Sequence, residues 1–72
     1  MTVIDALPPA AEASIRFLRL AAVRELTGLS RSAIYALPGF PKAVPIGERA
    51  VAWREDEVRA WMRARIEERD AA

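Results

Sequence analysis

The chain has 72 residues, no cysteine or histidine, 53% hydrophobic residues and a formal net charge of +1. A chain of this length holds one small domain, whose core supplies only marginal stability. The missing residue types exclude disulfides, zinc sites of the usual kind, cysteine nucleophiles and histidine acid–base pairs, so we expect neither an enzyme nor a metal or cofactor site.

Charged residues interrupt every apolar run of the chain within a few positions. A membrane span needs about 20 consecutive apolar residues, and a signal peptide needs a basic segment followed by a long apolar core. Neither pattern is visible. We therefore expect a cytoplasmic protein that is associated with the nucleoid and does not contact a membrane.

Residues 1–14 contain Pro8-Pro9 and then an alanine-rich stretch without the periodicity of a packed helix. We predict a flexible N-terminal arm over these residues, a folded domain over residues 15–69 and a C-terminal tail over residues 70–72. The domain begins with apolar residues that indicate a short strand or an extended segment before the first helix: Ile15, Phe17, Leu18 and Leu20.

Two short helices are predicted around Gly28, one over about 21–27 and one over about 30–37. Gly28 can adopt the left-handed backbone conformation that ends a helix, and the Ser30 hydroxyl can accept a hydrogen bond from the first turn of the next helix. Each helix has an apolar face that can close on Leu29, and this spacing predicts a helix-turn-helix. The two faces consist of Val23 and Leu26, and of Ile34 and Leu37.

The exposed side of the second helix carries side chains that suit a DNA groove. Arginine can bind guanine or phosphate, and serine and tyrosine hydroxyls can bond to phosphate oxygens. Three of the candidates also have a simpler alternative, because Arg31 and Ser32 can be solvated helix residues and the Tyr35 ring can cover the core while its hydroxyl stays in water. The candidate contacts are Ser30, Arg31, Ser32 and Tyr35.

Two short β-capable runs follow Pro38-Gly39, a pair that cannot continue the second helix. The runs at 43–46 and 50–53 predict a hairpin in which Gly47 supplies an unusual turn backbone and Pro45 marks an exposed edge strand. A basic hairpin directly after a helix-turn-helix is the layout of a wing that lies along DNA. Its candidate contacts are Lys42, Gly47, Arg49 and Arg54, of which the last can instead pair with nearby acidic residues.

A final helix is predicted over about 55–68, where apolar residues recur at helical spacing. The acidic residues of its first turn lie at the positive end of the helix dipole. Both tryptophans have apolar neighbours, so we interpret Trp53 and Trp61 as core residues rather than base-stacking residues. The predicted buried stripe of this helix consists of Val58, Trp61, Met62 and Ile66.

The small net charge conceals an uneven distribution along the chain. From Arg16 to Arg54 there are seven basic and two acidic residues, a difference of +5, whereas residues 55–72 carry six acidic and four basic residues, a difference of −2. DNA phosphates are attracted by positive charge concentrated on a helix-turn-helix and hairpin. The predicted partner is therefore double-stranded DNA.

Several residue blocks occur in a specific order between Phe17 and Arg65: Phe17-Leu18-Arg19-Leu20 with Val23; Thr27-Gly28-Leu29-Ser30-Arg31-Ser32-Ala33-Ile34-Tyr35; Phe40-Pro41-Lys42 with Val44; Ile46-Gly47; and Trp53-Arg54 with Glu57-Val58 and Trp61. Each block alone is weak. In this order the set resembles the AlpA family of small prophage-type regulators, whose winged helix-turn-helix is related to the DNA-binding domains of the MerR and excisionase families.

The resemblance implies a mainly α fold with a small β-hairpin, in which the second helix lies in the major groove and the wing lies beside it. It also implies which residues face the groove, Arg31, Ser32 and Tyr35, and which contact the DNA backbone, Lys42, Arg49 and Arg54. Family members usually carry a few more residues between the tyrosine and the Phe-Pro-Lys block than the four found here, so we expect the second helix to end early.

Two functions remain open at this point. The first is a sequence-specific DNA-binding protein of a mobile element, which acts as a transcription regulator, an excisionase or both. Such a protein binds cooperatively with further copies and can bend DNA. Its candidate partner is a recombinase or RNA polymerase. The second is a protein-interaction adaptor, such as a phage assembly or packaging subunit, built on the same scaffold. The basic middle segment favours the first, because an adaptor has no need of it.

Overall fold

The computed structural model describes residues 15–72, so the predicted arm over residues 1–14 lies outside the described residues. The described elements, in chain order, are β1 (Phe17–Leu18), α1 (Leu20–Thr27), α2 (Arg31–Ala36), β2 (Val44–Pro45), β3 (Val51–Arg54) and α3 (Glu55–Ala71). The predicted fold class is confirmed: the domain is mainly helical, with a small antiparallel sheet and the order of a winged helix-turn-helix.

The turn between α1 and α2 forms as the sequence predicts. Gly28 has φ 77° and ψ 5°, and its N–H group donates to the Arg24 carbonyl at 2.8 Å, which closes the end of α1. The Ser30 hydroxyl accepts a hydrogen bond from the Ala33 N–H group at 3.2 Å, so it caps the first turn of α2. A glycine and a serine two residues apart thus fix where one helix stops and the next starts.

We expect Gly28→Ala to destabilise the fold by about 1–2 kcal/mol, because an added Cβ disfavours the left-handed conformation. Open space surrounds that Cβ position, so the penalty comes from the backbone and not from a clash. Gly47→Ala is the matched control, since Gly47 has no positive φ and its added Cβ would meet Ala50 Cβ at an ordinary 3.7 Å. Equal urea midpoints for the two variants would contradict this account.

The three strands form one antiparallel sheet in the order β1-β3-β2, with β3 in the centre. The predicted hairpin is therefore present, and the apolar segment before α1 adds a third strand to it. Pro45 lies in β2, an edge strand, as predicted for a residue that cannot donate a backbone hydrogen bond. Leu18 is opposite Trp53 across the β1–β3 pair, and Pro45 is opposite Val51 across the β2–β3 pair.

The prediction that Gly47 supplies an unusual turn backbone is wrong. Gly47 has no positive φ, whereas Gly39 has φ 84°. The hairpin turn is long enough to reverse the chain without a left-handed residue: the Ile46 N–H group donates to the Ala50 carbonyl at 2.9 Å across it. The tight reversal instead follows α2, at Pro38-Gly39.

The core lies between the sheet and the three helices. Its buried apolar side chains include one residue that the sequence predicted as buried from each of α1, α2, β3 and α3, together with Phe40 from the loop after α2. Leu29 is half-buried and packs against this cluster, in agreement with its predicted place between the helices. The buried cluster consists of Val23, Ile34, Phe40, Trp53 and Val58.

Two residues predicted to be buried are exposed instead. Leu37 is 38% exposed because α2 ends at Ala36 and Leu37 has an extended backbone, so the chain turns and Phe40 enters the core in its place. Ile66 is 50% exposed because α3 extends past the core, which its half-buried residues Trp61 and Met62 still contact.

The helix bounds differ from prediction at four ends, and α2 begins one residue later than predicted, at Arg31. Helix α1 begins one residue earlier, at Leu20, and α2 ends one residue earlier, at Ala36. Helix α3 continues to Ala71, so Asp70 and Ala71 are helical and do not belong to a tail. None of the helices within residues 15–72 is long and apolar enough to cross a membrane.

Candidate nucleic-acid interface

The exposed side of α2 brings together the predicted groove residues. Arg31, Ser32 and Tyr35 are all exposed, and Ser30 stands at the start of the helix as its cap. Arg31 and Tyr35 are four residues apart and therefore neighbours on one helix face. The Arg31 guanidinium carbon lies 5.5 Å from the centroid of the Tyr35 ring, within range of a cation–π contact.

The Tyr35 ring lies against the core, as in the simpler of the two roles that the sequence left open, and the phosphate contact of its hydroxyl stays a prediction. The side chain is 54% exposed, yet its ring packs edge-on against Trp53, with centroids 5.5 Å apart and an interplanar angle of 70°. Edge-to-face geometry is a favourable arrangement for two aromatic rings. The exposed face of α2 is therefore attached to the core through this ring pair.

Lys42 lies close to the same helix. Lys42 and Tyr35 both line a cleft of about 310 Å³, whose floor includes Trp53. The short segment after α2 brings the lysine there, because Phe40 is anchored in the core two residues earlier. Arg31 contacts the Tyr35 ring and Lys42 shares the cleft with it, and we call these three residues the α2 surface.

The tip of the wing carries Gly47 and Arg49, both exposed. The Ile46 N–H group donates to the Ala50 carbonyl at the base of the tip, so the tip consists of residues 47–49. Glu48 lies between the two predicted contacts, so the tip has no net charge of its own. Any attraction of the wing to phosphate depends on the reach of the Arg49 side chain.

Arg54 is engaged at the junction of β3 and α3. Its Nη2 lies 2.6 Å from Asp56 Oδ2 and its Nε donates to Asp56 Oδ1 at 3.0 Å, which is a two-point contact. The Arg54 side chain lowers the pKa of Asp56, and the Glu57 backbone N–H group that donates to Asp56 at 2.8 Å acts in the same direction. This is the acidic pairing that the sequence offered as the alternative for Arg54.

The acidic start of α3 binds a second arginine of the basic segment. Glu55 is paired with Arg16 at 3.4 Å and with Arg59 at 2.9 Å. Two of the seven basic residues from Arg16 to Arg54 therefore have a carboxylate partner on α3. Within residues 15–72, the basic residues at the α2 surface and the wing tip, Arg31, Lys42 and Arg49, have no carboxylate oxygen within 4.0 Å.

The sequence missed one contact that shapes this surface and left the partner in another unnamed. Trp53, predicted only as a core residue, supports the Tyr35 ring from a strand distant in the chain. Asp56 is the one of the nearby acidic residues that holds Arg54. No local sequence pattern predicts the Trp53 contact, because it depends on how β3 packs against α2.

Comparison with known proteins gives one family and one relative. Residues 16–66 match the family described as prophage CP4-57 regulatory protein (AlpA), a range that includes all three strands, α1, α2 and most of α3. The chain is also 52% identical over 54 residues to "Uncharacterized protein ORF88" of Enterobacteria phage P4, which covers 71% of this chain and 61% of the relative. The chain thus spans less than two thirds of that relative's length. No solved structure matches.

Proposed function

Since the chain belongs to the AlpA family of prophage regulatory proteins, as its motifs led us to expect, we propose that it binds double-stranded DNA as a regulator of a mobile element. The observation that carries this proposal is the α2 surface. Arg31 occupies the first turn of a capped helix, has no carboxylate partner among the described residues, and lies against the Tyr35 ring, which lines a cleft together with Lys42.

In this proposal helix α2 lies in the major groove as the recognition helix. The N-terminal residues of a recognition helix are the ones that reach base edges, and Arg31 is the first residue of α2. Arg31 contacts a base, with the two-point geometry that arginine makes to guanine O6 and N7. Ser30, Ser32 and the Tyr35 hydroxyl bond phosphate oxygens. The small side chains Ser32 and Ala36 support this role, since they let the helix backbone approach the groove closely.

The wing contributes affinity and not sequence readout. Lys42 and Arg49 bind phosphates, and Gly47 lets the tip come close to the backbone because it has no side chain. Such contacts do not distinguish one base pair from another. Binding by the wing alone would therefore be equally strong on any duplex and would weaken steeply with salt.

Cooperative binding by further copies is part of the proposal. A recognition helix of six residues with a small wing buries only about 600–1,000 Å² of protein surface, the range of a single DNA-binding module. Specific control of a promoter or recombination site generally needs more contact than one such module gives. We expect neighbouring copies to supply it on adjacent sites, with a recombinase or RNA polymerase as the protein that responds.

The test is a gel shift of the purified protein on DNA from around its own gene, repeated over a range of salt concentrations and against random duplex. Tight binding that resists random competitor and builds up in several steps supports a cooperative regulator or excisionase. No binding at low salt would overturn the proposal in favour of the protein-interaction adaptor. Footprints over several phased sites with bent DNA favour an excisionase, and one promoter-proximal footprint favours a transcription regulator.

Arg49→Ala and Arg54→Ala form a matched pair, since each removes one positive charge. We expect Arg49→Ala to weaken binding to specific and random duplex by the same factor and to flatten the slope of log affinity against log salt by about 1. Arg54→Ala should have the smaller effect, because Asp56 already holds its guanidinium. Equal losses in a gel-shift series would mean that Arg54 leaves Asp56 to bind DNA.

A further inference from the structure

Three side chains from two distant parts of the chain form a row that ends at the α2 surface. The Trp53 ring is 1% exposed in the centre of the core, the Tyr35 ring packs edge-on against it, and the Arg31 guanidinium lies over the Tyr35 ring. Both steps of the row measure 5.5 Å. The row therefore runs from the largest fully buried side chain to the residue that we propose faces the groove.

This arrangement restricts a side chain that is otherwise mobile. A free arginine samples many rotamers, and fixing it on binding lowers affinity. A planar guanidinium stacks well on an aromatic face, and an exposed contact of this kind shifts an equilibrium about 2- to 5-fold. Trp53 contacts the Tyr35 ring in turn, and this contact restricts the orientations open to the ring under Arg31.

We propose that Tyr35 is a positioning residue for Arg31, and that its ring, braced on Trp53, sets the base discrimination of α2. This inference rests on the proposed DNA-binding function. It assigns the contribution of Tyr35 to its ring, which orients Arg31 before DNA arrives, so the hydroxyl adds at most a phosphate contact that is the same for every sequence. Removing the ring should therefore act on specificity through Arg31.

Two substitutions at Tyr35 separate the contribution of the ring from that of the hydroxyl. Tyr35→Phe keeps the ring and its packing on Trp53, whereas Tyr35→Leu removes the platform and keeps an apolar side chain over the core. Each is made in the parent chain and in an Arg31→Ala background. Affinity is measured for the target duplex and for random duplex, and the ratio of the two is the measure of discrimination. Thermal unfolding followed by circular dichroism identifies conditions in which all variants are folded.

Tyr35→Leu is expected to lower the ratio about 2- to 5-fold, and Tyr35→Phe is expected to keep it. In the Arg31→Ala background the leucine substitution should lower the ratio no further, because the two residues act as one unit. The inference is overturned if Tyr35→Phe loses as much discrimination as Tyr35→Leu, or if the leucine and alanine effects simply add.

A measurement without DNA separates this inference from the proposed function. In the NMR spectrum of the parent, the Arg31 side-chain protons should be shifted by the Tyr35 ring current, with the shift kept in Tyr35→Phe and lost in Tyr35→Leu. Unchanged Arg31 shifts in Tyr35→Leu would refute the positioning contact whatever the protein binds. A normal shift pattern together with no preference for any duplex would instead count against the DNA-binding function.

Discussion

Arg31→Ala is expected to weaken binding to the target duplex by about 1–3 kcal/mol, roughly 5- to 150-fold, and to leave the fold intact. The loss follows from removing the two hydrogen bonds to one base that we propose for this side chain. Arg31 is exposed and does not belong to the buried cluster, so we expect its removal to leave the core unchanged. Titrations of target and random duplex at one salt concentration measure the effect.

Arg31→Lys is the matched control, because it keeps the positive charge and loses the planar, two-point geometry. We expect it to bind random duplex like the parent and to lose most of the preference for the target. An Arg31→Ala variant that held its target as tightly as the parent would show that the recognition face lies elsewhere. The protein-interaction adaptor would then become the better account if binding to all duplexes was also weak.

The parts of the fold that the sequence predicts are those controlled by local chemistry. Gly28 and Ser30 fix the helix-turn-helix because a left-handed glycine and a capping hydroxyl act on their own neighbouring backbone groups. Pro45 marks an edge strand for an equally local reason, its missing N–H group. Such signals need no knowledge of the rest of the chain, and these three were correct.

The errors occur where tertiary packing decides the outcome. Leu37 and Ile66 continue an apolar periodicity, yet periodicity cannot tell where a helix stops or where it passes the end of the core. Phe40 takes the place of Leu37 because the chain reverses at Pro38-Gly39. The third strand was left open as a strand or an extended segment, since two residues become a strand only through their partners on β3.

The candidate site also has one part that local sequence signals predict and one part that depends on tertiary packing. The residues of α2 follow from the cap and the helical repeat, so the sequence names them without the structure. Their mutual arrangement does not, because Tyr35 obtains its support from Trp53 on a distant strand. Arg54 illustrates the opposite case: a basic residue beside a wing resembles a phosphate contact in sequence, but a carboxylate two residues later holds it by geometry that only the fold supplies.

Trp53→Ala is expected to cost about 3–5 kcal/mol of unfolding free energy, the range for emptying a buried tryptophan site. Trp53 is 1% exposed, lies on the central strand and contacts Tyr35. Small domains have a total stability only slightly larger than this, so much of the variant should be unfolded in water at 25 °C. Urea unfolding followed by circular dichroism measures it, with Trp53→Phe as the variant that keeps a folded baseline.

Trp61→Ala is the matched control for the same side-chain deletion at a half-buried position. Trp61 packs edge-on against Phe40, with centroids 4.9 Å apart, while the Arg65 guanidinium lies 5.4 Å from the Trp61 ring centroid. Part of its ring is already in contact with water, so less apolar area is lost and the urea midpoint should fall less than for Trp53→Ala. A larger fall for Trp61→Ala would mean that the core is centred on α3 and Phe40. The support that Trp53 gives to Tyr35, and through it to Arg31, would then have to come from elsewhere.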